Sequence, residues 1–138
     1  MINRTTCFMS AICFMVFFTA CSKEPSIQND GIAGKWRLVK QYEGYVNGGT
    51  FTWQTIGVDD SNTLTFLQNG EYRKKANAGG NFQECAGTYT LQSSALEINS
   101  NCNSSFEKLL ITELTTTSLI LDEPVIEGKI RYQYTATK

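Results

Sequence analysis

The chain contains no histidine, and this absence excludes several kinds of chemistry. A Ser-His-Asp triad, a metal site built on imidazole and a proton switch near neutral pH all need that side chain. Adjacent acidic pairs occur at Asp59-Asp60 and Asp122-Glu123. Neither pair is expected to act as a general acid and base, because neighbouring residues in a strand point to opposite faces and acidic pairs in loops are normally solvated. The sequence offers no catalytic constellation, so we predict a protein that is not an enzyme and uses no metal and no cofactor.

Long hydrophobic runs and long basic runs are missing as well. The most apolar stretch, residues 7–18, covers 12 residues, whereas a transmembrane helix needs about 20. Basic residues are consecutive only at 73–75, where a solvated strand edge is a simpler explanation than a binding patch. With 12 basic and 13 acidic residues in the chain, nucleic acid is not expected to be a partner.

The N-terminal segment has the organisation of a secretory signal peptide. Arg4 supplies a positive charge, residues 7–18 form the apolar core, and the small residues Thr19-Ala20 precede Cys21. The sequence Phe18-Thr19-Ala20-Cys21 resembles the loose lipobox of Bacteroidetes lipoproteins. That resemblance implies cleavage before Cys21 and acylation of this residue. An ordinary signal peptide followed by a chance cysteine is the alternative.

The predicted lipid anchor divides the chain into three parts. Residues 1–20 are the signal peptide, residues 21–31 a lipidated polar tether, and residues 32–138 a single folded domain. Several acyl chains on one cysteine hold a protein stably on a membrane. We therefore expect a monomeric outer-membrane lipoprotein, on either the periplasmic or the cell-surface face.

Cysteine usage fits an exported protein. Of the five cysteines, Cys7 and Cys13 lie in the predicted signal peptide and Cys21 takes the lipid, which leaves Cys85 and Cys102. An even pair in an exported chain most simply forms one disulfide, which would contribute about 3 kcal/mol by closing a loop. Two free thiols, or half of a metal site, are the alternatives.

The folded domain consists of short alternating segments separated by turn signals. In Gly34-Lys35-Trp36-Arg37-Leu38 the apolar side chains alternate with charged ones, which is the pattern of a half-buried strand. Asn69-Gly70 is typical of a hairpin turn, and loops are predicted at residues 76–81 and 122–128. The predicted strands cover residues 35–46, 50–56, 63–67, 71–75, 87–91, 95–98, 106–114, 117–121 and 129–136.

The short connections determine how these strands pair. Parallel neighbours would need crossovers of about a dozen residues, and the sequence has none. An antiparallel meander of this length leaves two exposed edges unless it closes on itself. We predict an all-β fold, an antiparallel up-and-down β-barrel of about eight strands, with a two-sheet sandwich as the alternative.

The domain is similar to the lipocalin-like domains of Bacteroidetes lipoproteins. The resemblance rests on Gly34-Lys35-Trp36, Leu64-Thr65-Phe66, Gly87-Thr88-Tyr89 and Leu119-Ile120-Leu121, followed by a tyrosine-rich last strand. It implies that Trp36 lies near the closed end of the barrel and that an arginine packs across it. Arg131 is the only candidate for that arginine, and strand alternation puts it on the face opposite Tyr132.

The inward positions of these strands are rich in aromatic side chains. They form either a filled core, because an eight-stranded barrel is just wide enough for its own side chains, or a pocket for one small apolar ligand. The lipocalin resemblance favours the pocket, with tyrosine hydroxyls orienting a polar end of the ligand. The candidate ligand-binding residues are Trp36, Tyr42, Trp53, Phe66, Tyr72, Tyr89, Tyr132 and Tyr134, and Phe51 belongs to the same predicted ring.

Three functions agree with these features. The favoured one is a membrane-anchored carrier or sensor that binds a small hydrophobic molecule in the barrel. The second is a protein-binding or inhibitor module, as in small lipoproteins that block host lysozymes, with a filled barrel and a functional surface at residues 76–81 and 99–105. The third is a structural envelope lipoprotein with a filled barrel and no discrete ligand.

Overall fold

The computed structural model describes residues 31–45, 52–78 and 81–138, and within these ranges the regular structure is entirely strand. The predicted signal peptide, the predicted tether as far as residue 30, and Phe51 lie outside the described residues. The strands are β1 Gly34–Tyr45, β2 Gln54–Thr55, β3 Thr63–Phe66, β4 Glu71–Ala78, β5 Asn81–Gln92, β6 Ala95–Ser100, β7 Glu107–Leu114, β8 Ser118–Val125 and β9 Gly128–Thr137.

The strands form one antiparallel sheet that closes on itself. From β3 to β9 each strand pairs with its neighbour in sequence, and β1 pairs with both β3 and β9. Strand β2 has two residues and pairs with β1 at Lys40 and Gln41, beyond the end of β3. The result is a barrel of eight strands, β1 and β3–β9, with β2 as a short addition. The predicted up-and-down antiparallel barrel is confirmed, and the sandwich alternative is wrong.

The hydrophobic core fills one end of the barrel, which we call the closed end. It lies beside the β3–β4, β5–β6 and β7–β8 turns, and its members are fully buried apolar side chains. These are Trp36, Leu38, Leu64, Phe66, Leu96, Ile98, Leu119 and Leu121. Ile32 covers this core from below, and its carbonyl oxygen accepts a hydrogen bond of 2.9 Å from the indole N–H of Trp36. Trp36 therefore lies at the closed end, as the resemblance implied.

A β-bulge in β1 changes which residues face inward. The register with β9 shifts between Leu38 and Lys40, so one extra residue, Val39, lies between them. Before the bulge the even-numbered Leu38 faces the core, and after it the odd-numbered Gln41 pairs with the inward-facing Tyr132. Because side chains alternate along a strand, one extra residue moves every later side chain of β1 to the other face.

Two hairpins are longer than predicted. Strand β4 continues to Ala78 and β5 starts at Asn81, whereas residues 76–81 were expected to be a loop. Strand β8 includes Pro124, which pairs with Lys129 close to the β8–β9 turn, whereas residues 122–128 were expected to be a loop. Small residues and proline are poor strand signals, but proline is accepted near a strand end, where its missing N–H costs little.

The predicted disulfide is confirmed. Cys85 on β5 and Cys102 in the β6–β7 loop are bonded, with their Cα atoms 5.5 Å apart, a separation that disulfide bonds require. The bond ties residues 101–106 to the barrel wall.

An ion-pair cluster lies on the outer face of β8 and β9. The Arg131 guanidinium donates two hydrogen bonds to the buried Asp122 carboxylate, one of them 2.7 Å long, and the Lys129 ammonium donates a third of 3.0 Å. The Arg131 guanidinium also lies 5.5 Å from the centre of the Tyr42 ring. Arg131 is thus on the outer face, as alternation predicted, and it does not pack across Trp36.

Candidate functional site

Above the core the barrel contains a cavity of about 780 Å³. Inward-facing side chains of β1, β3, β4, β7, β8 and β9 line it, together with the end of the β6–β7 loop. The lining residues of the strands are Gln41, Leu64, Tyr72, Lys74, Glu107, Lys108, Leu109, Glu123, Pro124, Tyr132 and Tyr134, and those of the connecting segments are Asn62, Asn103, Ser105 and Phe106. The cavity therefore lies inside the barrel, towards the end that carries the β6–β7 loop and the β8–β9 turn, which we call the mouth.

The cavity is lined by both apolar and charged side chains. Leu64 and Leu109, which line its base, are buried at 2% and 4% exposure and belong to the core cluster. Tyr72 and Tyr134 stand beside them and are also buried. This arrangement suits a ligand with an apolar part in the base and a polar part towards the mouth.

Two carboxylates face the cavity from neighbouring strands. Glu123 on β8 accepts a hydrogen bond of 2.7 Å from the Tyr132 hydroxyl, and Glu107 on β7 accepts one of 3.2 Å from the Asn103 side-chain amide. Both donors are neutral, and none of the ion pairs among the described residues includes either carboxylate. These hydrogen bonds fix the direction of the carboxylates without occupying all of their acceptor positions.

One lysine faces the same cavity from the opposite wall. Lys74 on β4 pairs with Cys85 across the sheet and shares the inward face with Tyr72. In the closed strand order, β4 and β8 are four strands apart in a ring of eight. Lys74 and Glu123 therefore stand on opposite sides of the barrel.

The tyrosines of the cavity remain neutral over a wide pH range. Burial raises the pKa of Tyr72, Tyr132 and Tyr134 well above the usual value, and the negative charge of Glu107 raises each of them further. For Tyr132 the hydrogen bond to Glu123 contributes as well. The three hydroxyls therefore keep their protons at ordinary pH, mainly because they are buried, and the Tyr132 proton is donated to Glu123.

The structure divides the eight predicted ligand-binding residues into four groups. Tyr72, Tyr132 and Tyr134 line the cavity. Trp36 and Phe66 are fully buried in the core below it. Tyr89 is half-buried against that core, and its hydroxyl donates a 2.9 Å hydrogen bond to the Leu67 carbonyl. Ligand contact stays a prediction for the cavity tyrosines.

The predicted inward position is wrong for Tyr42 and Trp53. Tyr42 pairs with the outward-facing Arg131, because the bulge at Val39 has reversed the alternation of β1. Trp53 packs edge-on against Tyr42, with ring centroids 4.6 Å apart, and remains 36% exposed. The two rings therefore belong to the outer surface.

The charged residues of the cavity were missed, although a sequence signal for them exists. Lys74 lies two residues from Tyr72, Glu107 two residues from Leu109, and Glu123 two residues from Leu121. Period-two alternation places each of them on the inward face. The predicted ligand-binding residues are all aromatic, so they do not include these charged residues.

The fold belongs to the class of closed, antiparallel, up-and-down β-barrels with a cavity at one end. Solved structures of the same kind are similar to it. The chain is similar to a lipocalin-like protein from Bacteroides uniformis ATCC 8492, with a TM-score of 0.57 and 19% sequence identity over 76% of this chain and 97% of that chain. It is also similar to an uncharacterized protein from Bacteroides eggerthii DSM 20697, with a TM-score of 0.54 and 17% identity over 76% of this chain and 98% of that chain. The fold is lipocalin-like.

No protein-family model and no curated protein sequence matches this chain. Among the described residues, no three His, Cys, Asp or Glu side chains come together as metal ligands would. In the same part of the chain, no helix is long and apolar enough to cross a membrane.

Proposed function

We propose that this chain is a membrane-anchored, lipocalin-like lipoprotein that binds one small molecule, apolar in part, inside the barrel. The observation that carries the proposal is the cavity of about 780 Å³ between the core and the mouth. Small-molecule sites in proteins have volumes of about 300–1,000 Å³. A barrel whose only task was structural would be expected to fill this space with its own side chains.

The base of the cavity supports an apolar contact with the ligand. Leu64, Leu109 and Tyr134 are buried in the barrel wall, so a ligand there gains contacts with a well-packed apolar surface. A preformed pocket binds more tightly than one that must order itself around the ligand. The sequence contains no catalytic constellation, and we therefore favour a binding protein over an enzyme.

The sequence around Cys21 supports the lipid anchor and an outer-membrane location. Residues 18–21 resemble a lipobox directly after an apolar core, and acylation of Cys21 would attach the barrel to a membrane surface through the polar segment before Ile32.

A protein-binding role is the second candidate, and exposed apolar side chains at the mouth favour it. Phe82 is 84% exposed, Phe106 is 62% exposed, and Ile126 in the β8–β9 turn is fully exposed. Phe82 and Phe106 adjoin the two segments, 76–81 and 99–105, that the sequence indicates as a functional surface. Large exposed apolar groups often mark contacts with another protein.

Native mass spectrometry tests the proposed function. Residues 22–138 should be purified without detergent from an oxidising compartment, then measured before and after incubation with fatty acids, retinoids, haem, quinones and short apolar peptides. We expect a reproducible extra mass of a few hundred daltons, lost on denaturation, for at least one of these compounds. A bare protein mass under every condition would contradict the proposal and favour the protein-binding role.

A pair of variants locates the binding site. Gln41→Trp places a large ring in the cavity, whereas Lys40→Trp places the same ring on the exposed outer face of the same strand. We expect Gln41→Trp to abolish the added mass and Lys40→Trp to preserve it. Equal binding by both variants would show that the ligand lies outside the barrel.

A further inference from the structure

Three neighbouring pairs of charged residues show the same contrast between the inside and the outside of the barrel. Lys74 and Lys75 are adjacent on β4, Glu107 and Lys108 on β7, and Asp122 and Glu123 on β8. Lys74, Glu107 and Glu123 face the cavity. Lys108 also borders the cavity, but its ammonium group is paired with Glu97.

Each outward-facing member of these pairs has an ionic partner. Lys75 lies 3.7 Å from the Glu84 carboxylate, Lys108 lies 3.1 Å from the Glu97 carboxylate, and Asp122 holds Arg131 and Lys129. None of the ion pairs among the described residues includes Lys74, Glu107 or Glu123. Within these three pairs of neighbours, the outward-facing charges are therefore compensated and the inward-facing charges are not.

The unpaired charges inside the barrel are separated by sign. Glu107 and Glu123 stand on the adjacent strands β7 and β8, and Lys74 stands on β4, opposite β8. Lys74 forms an ion pair with neither Glu107 nor Glu123. A molecule placed between the two walls meets a negative side and a positive side at once.

We propose that the cavity binds a small zwitterion with an apolar side group. Its ammonium group would lie against Glu107 and Glu123, its carboxylate against Lys74, and its apolar group in the base beside Leu64 and Leu109. The simplest molecules of this kind are an apolar amino acid and a short apolar peptide with free termini. The inference rests on the proposed function and specifies the ligand class of the same cavity.

Other ligand classes leave charges without partners. A wholly apolar ligand would displace water from Lys74, Glu107 and Glu123 and offer none of them a partner, which is unfavourable for each dehydrated charge. A fatty acid would satisfy the lysine and place its own anion in the field of two carboxylates. A simple amine would satisfy the carboxylates and leave the lysine unpaired. Only a ligand with both charges compensates both walls.

The first test varies the ligand and leaves the protein unchanged. Residues 22–138 are titrated calorimetrically with leucine, dileucine and trileucine, then with the best of the three in N-acetylated, C-amidated and doubly blocked forms. We expect each single block to weaken binding roughly tenfold or more, and the double block to abolish measurable binding, because each buried charge pair contributes at least about 1.4 kcal/mol. The length series shows whether the amino acid or the peptide fits better.

The second test assigns each charge of the ligand to a wall. Lys74→Gln should weaken binding of the free peptide roughly tenfold and leave the C-amidated form unaffected, while Glu107→Gln/Glu123→Gln should remove the dependence on a free amine. Lys75→Gln and Glu84→Gln are matched controls, because they change the same residue types on the outer face of β4 and β5. Circular dichroism and the urea midpoint establish that every variant is folded.

The outcomes separate this inference from the proposed function. Equal affinity for free and blocked peptides, or unchanged affinity in Lys74→Gln, would overturn the zwitterion. Binding of a fatty acid, retinoid or quinone with no binding of any peptide would overturn it too, while the carrier function would stand. No binding of any compound in either experiment would overturn both.

Discussion

At the scale of single residues, Asp122 is a buried carboxylate that is held by two cations. It is 5% exposed and accepts hydrogen bonds from both Arg131 and Lys129. Burial by itself would raise the pKa of this carboxyl group, but the hydrogen bonds and charges of Arg131 and Lys129 outweigh burial and lower the pKa below its ordinary value. The cluster joins β8 to β9 beside the strand that closes the barrel.

The lowered pKa predicts how the stability of the protein depends on pH. A carboxyl group with a lower pKa in the folded state stabilises that state fully above its unfolded pKa, about 3.9 for aspartate. The stabilisation is lost as the pH falls through the folded pKa. We expect Asp122→Asn to reduce the free energy of unfolding at pH 7 by about 2–4 kcal/mol, because two cations lose their partner. Urea unfolding at pH 7 and pH 3 measures both effects.

A matched control defines what would contradict this prediction. Glu97→Gln breaks the exposed pair with Lys108, and an exposed pair contributes about 1 kcal/mol or less. The loss of stability between pH 7 and pH 3 should be smaller in Asp122→Asn than in the wild type. An equal loss in both proteins would show that Asp122 is not the titrating group.

At the scale of strands, the close approach of β5 and β6 depends on one glycine. Gly87 pairs with Ser100, and a Cβ atom at position 87 would lie 1.9 Å from the Asn99 carbonyl oxygen and 2.7 Å from the Ser100 Cα. Both of these are backbone atoms, so the strands themselves would have to move apart. The residue also faces Tyr72 across the β4–β5 ladder, so a shift there reaches the wall of the cavity.

We expect Gly87→Ala to lower the free energy of unfolding by about 2–4 kcal/mol, because overpacking between two backbones has no side chain that can yield. Gly57→Ala is the control, since its added Cβ meets only Asp60 Oδ2 at an ordinary distance of 3.6 Å, and its effect should stay within about 0.5 kcal/mol. Chemical denaturation of the two variants gives the comparison. A stability of Gly87→Ala equal to that of the control would mean that β5 and β6 are further apart than described.

Much of the strand pattern was predictable, and the failures have a physical cause. Clean alternation identified Leu64 and Phe66 as inward-facing and correctly placed Tyr132 and Tyr134. The bulge at Val39 has no signature in the sequence, because neither glycine nor a turn residue marks it. The strand itself is still recognisable, but the extra residue moves every later side chain to the opposite face. The outward position of Tyr42 could therefore not be predicted.

At the scale of the whole molecule, closure of the barrel was predictable from chain connectivity. Tight turns force antiparallel neighbours, and a long meander avoids free edges by joining its first and last strands. The cavity was harder to predict, since aromatic residues indicate a filled interior as readily as a pocket. Its charges depend on which wall each strand occupies, and that follows only once the ring of strands is known.

The proposed lipid anchor is also tested on the whole molecule. We expect Cys21→Ser to abolish incorporation of radiolabelled palmitate and to move the protein from the membrane fraction to the soluble fraction, because acyl chains are the proposed attachment. Cys13→Ser, within the apolar core of the predicted signal peptide, should change neither result. Palmitate labelling that persists in Cys21→Ser would place the acylation elsewhere.

The position of Ile32 has a consequence for the direction in which the barrel opens. Ile32 lies beneath Trp36, at the end of the barrel opposite the cavity mouth. Under the proposed anchoring at Cys21, the barrel would be attached from the side of its floor, and its opening would point away from the membrane. Such a barrel would collect its cargo from solution rather than from the bilayer beneath it, so the pool that it samples is one of dissolved molecules.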